Sequence, residues 1–414
     1  MRRLVVLGAG TAGTMVVNKL RRRLGPDWRI SVVEQHDRHH YQPGYLFLPF
    51  GACQPDDLTR PTERFIPAGV DLVQGEIDMV DPGQHVVRLV DGRELGYEYL
   101  VIATGTEPRP DQTPGMLDGT EWRESVHEFY TLDGALALRD RLRTFTGGRL
   151  VVHVVEMPIK CPVAPLEFAF LADDFFRKAG IRDRVELVYA TPLPGAFTKP
   201  IASQELARML DDRQIALEPD FVVERIDDER RTLVSYDERE VPFDLLVTVP
   251  LNMGAEYVAR SGLGDELNYV PVDKHTLLST SYDSIFAVGD ASNIPASKAG
   301  SVAHFSVEVF VDNFVQHVNG QKMTGSFDGH ANCYVEAGDG KALLIDFNYD
   351  TEPLRGRYPL PGVGPFHLLE ATRVNHWGKL AFRWTYWHLL LPGRPIPLPA
   401  HMSMAGKVRD YQEV

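Results

Sequence analysis

Three glycines near the start of the chain, Gly8, Gly10 and Gly13, constrain the fold more than any other feature. They follow an apolar stretch at positions 4–7 that predicts a buried parallel strand, and they open a helix predicted over about 12–24. In this spacing the first glycine makes a tight turn, the second lets a pyrophosphate approach the backbone, and the third lets helix and strand pack closely. The N-terminus of the helix supplies free N–H groups and a positive dipole for the phosphates.

A second predicted strand, at positions 30–34, ends in Glu34, which lies 21 residues beyond Gly13. A carboxylate in that place can hold a ribose hydroxyl and repels a 2′-phosphate. Glycines, helix, second strand and terminal acid in register therefore predict a dinucleotide site. Thr11 and Ala12, at the start of the helix, are further candidate contacts.

Two later strands end in small or acidic residues that suit the same site. One, from Tyr99, stops at Ala103-Thr104-Gly105, and small residues there let a ligand come close. The other, from Ser284, stops at Gly289-Asp290, and a helix is predicted over about 299–319. An acid in that position can accept a hydrogen bond from a ribityl hydroxyl, and the helix can aim its N-terminus at a flavin ring.

A second strand–turn–helix unit begins near Arg149, but its turn differs from the first. Residues 156–162 contain two prolines and no glycine, so bulky side chains should block a pyrophosphate there. The turn holds Cys161 instead, and Glu167 follows at the start of a helix predicted over about 165–179. We expect the architecture of a nicotinamide domain without nicotinamide binding.

Composition limits the classes of function that are open. The 414 residues are 44% hydrophobic and 24% charged, which predicts two or three globular domains. The net charge of −14 argues against a nucleic-acid partner. No metal site is predicted. Cys53, Cys161 and Cys333 are too few for a disulfide framework, so their role is redox or none.

Membrane and export signals are weak in this chain. No apolar run approaches the roughly 18 residues that span a bilayer. The first strand begins at Leu4, which leaves no room for a cleaved signal peptide, so we expect residence in the cytoplasm.

Several further elements follow from local patterns. Residues 39–49 lack a clean period and predict an ordered loop. Residues 70–95 alternate around Asp91-Gly92 and predict hairpin strands, as do 227–241 and 333–347. A proline- and glycine-rich linker is predicted over 353–365.

The last predicted helix, over about 366–391, carries an aromatic stripe at three- and four-residue spacing: Trp377, Leu380, Ala381, Trp384, Trp387 and Leu391. Indole rings favour an interface with one wet and one apolar side, so the helix could lie on a membrane or line a quinone channel. The alternative is a helix that packs in the core or in a dimer interface.

Taken in order, these pieces resemble a known family. They are the glycine motif with Glu34, Ala103-Thr104-Gly105, Cys161 in its glycine-free turn, Val288-Gly289-Asp290 and the distant Cys333. The chain resembles the sulfide:quinone oxidoreductases, with the flavin subunit of flavocytochrome c sulfide dehydrogenase as a relative. Residues 197–200, 261–265, 270–273 and 294–305 are also similar to this family, so the resemblance covers nearly the whole chain.

The resemblance implies an α/β fold with two Rossmann-like, doubly wound domains of the FAD/NAD(P)-dependent disulfide reductase type. An FAD-binding domain would comprise 1–147 and 281–324, and a second Rossmann-like domain would comprise 148–280. A C-terminal quinone- and membrane-proximal region would comprise 325–414.

The resemblance also implies FAD as the cofactor. The glycine loop would hold its pyrophosphate, Glu34 its ribose, and Asp290 with the Lys298–Ala299 turn its ribityl chain and ring. Cys161 and Cys333 would form the redox pair on one face of the flavin. Glu167 matches a family carboxylate near the active cysteine, and Lys379 a lysine near the quinone.

The implied reaction is the oxidation of sulfide to sulfane sulfur or polysulfide, with two electrons passing through FAD to a membrane quinone. Sulfide would attack a Cys161–Cys333 disulfide or a sulfur-bridged form of it. Glu167 or His304 would carry protons, although His304 could equally be a packed core histidine. Phe305, Trp377 and Lys379 are the candidate quinone contacts. We expect a homo-oligomer attached peripherally to the cytoplasmic face of the membrane.

The chain departs from the family in one respect that bears on the cofactor. Many members carry a third cysteine shortly before the position of Tyr130, where this chain has His127, and Cys53 does not replace it. Covalent attachment of the flavin therefore stays open.

Three alternatives stay open. A type II NADH:quinone reductase shares the architecture but needs the missing second fingerprint. A flavocytochrome-type subunit would use a haem partner and normally an export signal. A non-catalytic flavin-fold redox-signalling protein would be favoured by loss of either cysteine, and both are present.

Overall fold

The computed structural model describes residues 1–360, 364–396 and 398–408. Its α-helices are α1 (Thr11–Arg23), α2 (Leu132–Thr144), α3 (Ala164–Lys178), α4 (Pro200–Asp211), α5 (Glu256–Arg260), α6 (Gly300–Val318) and α7 (Arg373–Thr385). Its strands are β1 (Arg2–Leu7), β2 (Trp28–Glu34), β3 (Arg38–His40), β4 (Thr59–Pro61), β5 (Val70–Gln74), β6 (Ile77–Asp81), β7 (Val86–Leu89), β8 (Glu94–Gly96), β9 (Tyr99–Ile102), β10 (Glu107–Arg109), β11 (Val126–His127), β12 (Gly148–Val154), β13 (Val185–Ala190), β14 (Ile215–Glu218), β15 (Val223–Asp227), β16 (Thr232–Ser235), β17 (Glu240–Pro242), β18 (Leu245–Val249), β19 (Leu251–Met253), β20 (Ile285–Ala287), β21 (Ala331–Glu336), β22 (Ala342–Phe347), β23 (Gly356–Tyr358) and β24 (Phe366–Leu368).

The first sheet contains five parallel strands in the order β20, β9, β1, β2, β5. Its central strands are apolar without alternation because both faces of the sheet are covered; residues 4–7 and 100–102 are all buried. The carboxyl ends of parallel strands share one edge, so the loops after β1, β9 and β20 meet there. These loops carry the glycine motif, Ala103–Gly105 and Gly289–Asp290.

The second sheet is also parallel, in the order β11, β18, β12, β13, β14, and α3 packs on β12 and β13. The turn that contains Cys161 follows β12, at the carboxyl edge of this sheet. The predicted α/β architecture of two Rossmann-like units is confirmed.

The C-terminal region is built on a smaller sheet in the order β21, β22, β24, β23. Strands β21 and β22 form the predicted hairpin, in which Cys333 pairs with Ile345. Helix α7 packs on β21, β22 and β24, and α3 packs on β21. The C-terminal region therefore brings Cys333 to the helix that follows Cys161.

Three sequence predictions need correction. Residues 70–74 form a parallel strand of the first sheet, and only 77–96 form the antiparallel strands β6, β7 and β8. Residues 39–49 are partly regular, with β3 followed by a 3₁₀ helix at Gln42–Phe47. The last helix begins at Arg373, because the hydroxyl of Thr372 caps it by accepting from the amide of Asn375, and residues 366–368 form β24.

A fourth prediction is corrected in part, because residues Gly356–Tyr358 of the linker predicted over 353–365 form β23. Residues 361–363 of that linker lie outside the described residues. A five-residue π-helical segment, Tyr386–Leu390, continues α7. None of the helices in the described ranges has the length and apolar character needed to cross a bilayer.

Candidate functional site

The glycine loop after β1 leaves space for a phosphate group. Gly8 has φ +92°, and a Cβ on Gly13 would lie 1.9 Å from the Gly8 carbonyl oxygen. Gly10 faces open space, with no described atom within 4 Å of a Cβ built on it. No described side chain caps the N-terminus of α1. This combination of an open backbone and uncapped N–H groups fits the pyrophosphate of FAD.

Glu34 is held beside this loop by the backbone. Its Oε2 accepts a hydrogen bond from the amide of Ala9 at 2.7 Å, and its Oε1 accepts one from the amide of His36 at 3.0 Å. The carboxylate therefore lies at the end of β2 in the position that a ribose-binding acid occupies in this kind of fold.

A hydrogen-bond network connects the C-terminal region to the glycine loop. The hydroxyls of Thr11 and Tyr386 lie 2.8 Å apart, the Tyr386 hydroxyl lies 2.6 Å from His39 Nε2, and His39 Nδ1 lies 3.0 Å from the carbonyl oxygen of Ala9. Burial lowers the pKa of His39 to about 4, so its ring is neutral. Nδ1 must then donate to Ala9, Tyr386 to Nε2, and Thr11 to Tyr386.

The other two strand-end loops adjoin the same region. A Cβ on Gly289, which has φ +63°, would lie 2.9 Å from the Cβ of Ala12, so the loop after β20 is packed against the start of α1. The hydroxyl of Thr104, in the loop after β9, lies 3.1 Å from the hydroxyl of Tyr257. The structure therefore groups the three sequence motifs around one edge of the first sheet.

Lys298 lies beside Asp290, as the sequence proposed. Its ammonium donates to the carbonyl oxygens of Asp290 at 2.8 Å and Ser292 at 3.0 Å, and it lies 3.6 Å from the ring centroid of Tyr269. Burial lowers the pKa of Lys298 to about 8, against the attraction of Asp290. The next residue, Ala299, is the N-cap of α6.

Cys161 is held in an unusual backbone conformation. Its φ of +46° lies in the left-handed region, which is uncommon for a residue with a side chain. The amide of Cys161 donates to the carbonyl oxygen of Lys298 at 2.7 Å, and the hydroxyl of Tyr130 donates to the carbonyl oxygen of Cys161 at 3.2 Å. These bonds tie the Cys161 turn to the Lys298 turn.

The structure brings Cys161 and Cys333 together with Glu167. Burial raises the pKa of the Cys161 thiol, and the charges of Glu167 and Cys333 raise it further. Burial, followed by Glu167, raises the pKa of the Cys333 thiol to about 12, against Lys379 and a hydrogen bond with Ser301. Two cysteines 172 positions apart therefore share one electrostatic environment.

Lys379 reaches the same cluster from α7. Its ammonium forms an ion pair with Glu167 Oε2, which also accepts from the amide of Glu336 at 2.7 Å. Burial raises the pKa of Glu167, and Lys379 offsets part of that rise. Burial also works to lower the pKa of Lys379, but the carboxylates of Glu167 and Glu336 outweigh it and the pKa is raised. Lys379 is therefore an ammonium beside the two thiols.

Three other candidate residues have no recorded contact with the thiols among the described residues. His304 is buried near Glu308 and Lys19, and none of its contacts within the described ranges reaches either cysteine. Burial lowers the pKa of His304 to about 4. Phe305 is buried and stacks on His330 with 3.9 Å between ring centroids, whereas Trp377 is 63% exposed on α7.

Three backbone donors of the turn after β12 are already engaged. The amide of Met157 donates to Glu156 Oε1 at 2.8 Å, and that of Lys160 donates to Asn252 Oδ1 at 3.1 Å. Together with the bond from Cys161 to Lys298, these contacts occupy three N–H groups of the turn that a pyrophosphate would otherwise meet.

Sequence reasoning missed four residues of the site. Lys160 forms a strand bridge with Lys298, and its pKa is lowered by burial, against the attraction of Asp290. Tyr386, Glu336 and His376 lie in C-terminal elements whose docking is a long-range property. Lys160 could have been found from its place next to Cys161, whereas no local pattern marks the other three.

Comparison with known proteins supports the resemblance. A family model described as pyridine nucleotide-disulphide oxidoreductase matches residues 2–305. The mitochondrial sulfide:quinone oxidoreductase of Dictyostelium discoideum is 28% identical over 357 residues, which cover 84% of this chain and 78% of that protein. The corresponding protein of Mus musculus is 25% identical over 357 residues, which cover 85% of this chain and 79% of that protein.

A solved structure agrees with the fold. The structure of the sulfide:quinone oxidoreductase from the hyperthermophilic bacterium Aquifex aeolicus superposes with a TM-score of 0.80 at 19% identity. The superposition covers 95% of this chain and 92% of that chain, so the likeness extends through the C-terminal region.

Proposed function

The chain belongs to the pyridine nucleotide-disulphide oxidoreductase family, and on that basis we propose that it oxidises sulfide and passes the electrons to a quinone. The observation that carries this proposal is the cluster of Cys161, Cys333, Glu167 and Lys379, which three separate parts of the chain contribute. The sulfide:quinone oxidoreductases among its relatives support the same substrates.

FAD is the cofactor, and the residues at the edge of the first sheet would hold it. The open glycine loop would take the pyrophosphate and Glu34 the ribose, while Asp290 and Lys298 would lie toward the ribityl chain and ring. When bound, FAD supplies the two-electron acceptor that restores the cysteine pair and passes the electrons on to the quinone.

The cysteine pair carries the sulfur chemistry. HS⁻ attacks one sulfur of a Cys161–Cys333 disulfide, so that a new S–S bond forms and the old one breaks. One cysteine becomes a persulfide, and the other leaves as a thiolate. Because burial and Glu167 raise the pKa of both thiols, the leaving thiolate needs a nearby positive charge or a proton. Lys379 is placed to supply either.

Glu167 and Lys379 also hold the proton that the reaction moves. Both side chains lie beside the thiols and face each other in an ion pair. A proton can pass between the carboxylate and the ammonium as the thiols change charge. We assign Glu167 and Lys379 the role of the site's acid–base pair, and leave His304 outside it because its contacts lie elsewhere.

Attachment to a membrane is supported by α7. Trp377, Leu380 and Trp384 are each more than half exposed on one side of the helix, whereas Trp387 and Leu391, which the sequence placed on the same stripe, are buried. An exposed aromatic face of this kind suits peripheral attachment, and we place it at the cytoplasmic face of the membrane. The same face could also cover a second copy of the chain.

The proposed function is tested by sulfide-dependent reduction of decylubiquinone. The wild type should show this activity, and Cys161→Ser and Cys333→Ser should each lose at least about 100-fold. Cys53→Ser is the matched control and should keep it, because no contact of Cys53 within the described ranges joins it to the pair. Activity that survives both cysteine substitutions would refute the proposal. Faster reduction of decylubiquinone with NADH than with sulfide as the electron donor would also refute it.

A further inference from the structure

Four titratable side chains lie in two contacting pairs, His376 with Glu336 and Lys379 with Glu167, and the backbone amide of Glu336 joins the two pairs. They are Glu167 of α3, Glu336 at the end of β21, and His376 and Lys379 of α7. The two carboxylate side chains are each 1% exposed, and the imidazole is 22% exposed. His376 Nδ1 lies 3.0 Å from each carboxylate oxygen of Glu336.

Helix geometry explains why His376 and Lys379 both point toward the same group of side chains. They are three residues apart on α7 and therefore share one face. The amide of Glu336 donates to Glu167, which brings the end of β21 against the ion pair of Glu167 and Lys379. The charge of Glu336 raises the pKa of Lys379, so the ammonium lies within the field of both carboxylates.

The geometry gives this group a second basic side chain besides Lys379. Two buried carboxylates face one ammonium, and an unpaired carboxylate is costly away from water. The second basic side chain is the imidazole of His376, whose Nδ1 contacts both carboxylate oxygens of Glu336. It is the most exposed of the four side chains, with 22% against 13% for Lys379.

The stoichiometry of the proposed reaction requires a proton from solvent, and this group of side chains can carry one. Oxidation of HS⁻ to sulfane sulfur releases two electrons and one proton, and reduction of a quinone to a quinol takes up two electrons and two protons. One proton must therefore enter from solvent in each turnover. Resting on the proposed function, we propose that His376 and Glu336 relay this proton to the pair of Glu167 and Lys379, and that Lys379, the candidate quinone contact, donates it to the reduced quinone.

Other charged groups near α7 are engaged elsewhere. Asp346 of β22 pairs with His330 and Lys407, and His367 of β24 pairs with Glu370. Arg373, one turn before His376, is exposed. Within the described part of the chain, the charged partner of the His376 ring is thus Glu336 of β21, and Lys379 with its partner Glu167 follows one turn along α7.

The relay is tested in the half-reaction that consumes protons. The flavin-loaded protein is reduced with dithionite and mixed with decylubiquinone between about pH 6 and about pH 9. His376→Ala and Glu336→Gln should each slow reoxidation about tenfold. Added imidazole should restore the rate of His376→Ala, because the site of His376 is open to solvent, and should leave Glu336→Gln slow.

The matched control is a second histidine–glutamate pair, formed by His367 of β24 and Glu370 just before α7. His367 Nδ1 lies 2.8 Å from Glu370 Oε2, and the pair is joined neither to Glu167 nor to Lys379 by any contact between described residues. His367→Ala and Glu370→Gln should reoxidise at the wild-type rate. A rate as slow as that of His376→Ala in either control would overturn the relay and indicate a general effect of disturbing α7.

A second readout does not depend on the rate of turnover. An indicator dye in weak buffer follows proton uptake while the flavin absorbance follows electron transfer. The two traces should coincide in the wild type, and uptake should lag in His376→Ala. Equal rates and coincident traces in the wild type and His376→Ala would overturn the relay alone, whereas a reduced wild type that quinone does not oxidise would overturn the proposed function with it.

Discussion

The hydroxyl oxygens of Thr11 and Tyr386 lie 2.8 Å apart, although 375 residues separate them in the chain. This contact joins the C-terminal π-helical segment to the first residue of α1, in the loop where the cofactor's phosphates are expected. Carbonyl oxygens of Pro392 and Gly393 accept from Arg22, so the following residues also dock on α1. The C-terminal region therefore supports both ends of the candidate site, through Tyr386 at the glycine loop and Lys379 at the thiols.

Tyr386→Phe should weaken the binding of FAD. The substitution removes the hydroxyl that donates to His39 and accepts from Thr11, and it leaves buried His39 Nε2 without a partner. A lost hydrogen bond of this kind is worth about 1 kcal/mol, which corresponds to roughly fivefold in affinity. Titration of the apoprotein with FAD, followed by quenching of flavin fluorescence, measures the change.

Tyr97→Phe is the control for that experiment. Tyr97 is equally buried, but its hydroxyl has no hydrogen-bond partner among the described residues. Its removal should leave FAD affinity within about twofold. An unchanged affinity in Tyr386→Phe would mean that the contact with Thr11 does not support cofactor binding.

Lys379→Met should destabilise the fold, by about 3 to 5 kcal/mol, because it leaves Glu167 buried without its counter-ion. Glu167→Gln/Lys379→Met should recover most of this loss, because no unpaired charge remains at that position. Urea unfolding of the apoprotein provides the free energies.

The same variant should also change the pH dependence of stability. Burial already raises the pKa of Glu167 in the folded protein, and removal of Lys379 removes an opposing effect. The folded state then binds more protons than the unfolded state above the ordinary carboxyl pKa of 4.5. Lys379→Met should therefore gain stability as the pH falls from about 7 to about 5. A loss over that range would contradict the placement of Glu167.

Glu167→Gln should make the thiols of Cys161 and Cys333 more reactive. Burial is the largest cause of the raised pKa of Cys161 and Cys333, and the charge of Glu167 is the second largest. Its removal should increase the thiolate fraction, and hence the rate of alkylation by iodoacetamide in the reduced protein, by about three- to tenfold. Mass spectrometry of the cysteine peptides measures each site separately.

Cys53 provides an internal control in the same sample. Burial raises its pKa to about 11, and the neighbouring charges are those of Arg383 and Asp57. Its alkylation rate should be the same in both proteins. A uniform increase at all three cysteines would indicate general loosening of the fold.

The part of the site that local patterns encode was predictable from the sequence. Glycine spacing, strand-end residues such as Glu34 and Asp290, and the glycine-free turn at Cys161 each depend on a few neighbouring positions. Residues 70–74 were assigned to a hairpin because they alternate, yet they alternate because β5 is the half-exposed edge of a parallel sheet. Thr372 is a typical N-cap residue and marks the start of α7, but the prediction relied on the aromatic stripe and began the helix too early.

The rest of the site depends on docking between distant segments. Tyr386 reaches Thr11, and Glu336 reaches Glu167, only after the C-terminal sheet has packed on both Rossmann-like units. The burial of the stripe from Trp377 to Leu391 also depends on docking between distant segments. Its first half is exposed and its second half is buried, although the spacing is the same throughout, because the π-helical segment packs Trp387 on Phe65.

The exposed half of the stripe should bind membranes. Trp377 is 63% exposed and Leu380 is 51% exposed, on the side of α7 away from Lys379. Trp377→Glu/Leu380→Glu should reduce co-sedimentation with phosphatidylcholine vesicles by at least about tenfold, since it replaces two apolar contacts with charges. Tyr236→Glu, at a residue that is 70% exposed on the second Rossmann-like unit, should not change it. If the double variant instead converts an oligomer to a monomer while vesicle binding is unchanged, this face of α7 contacts a second copy of the chain and the membrane is contacted elsewhere.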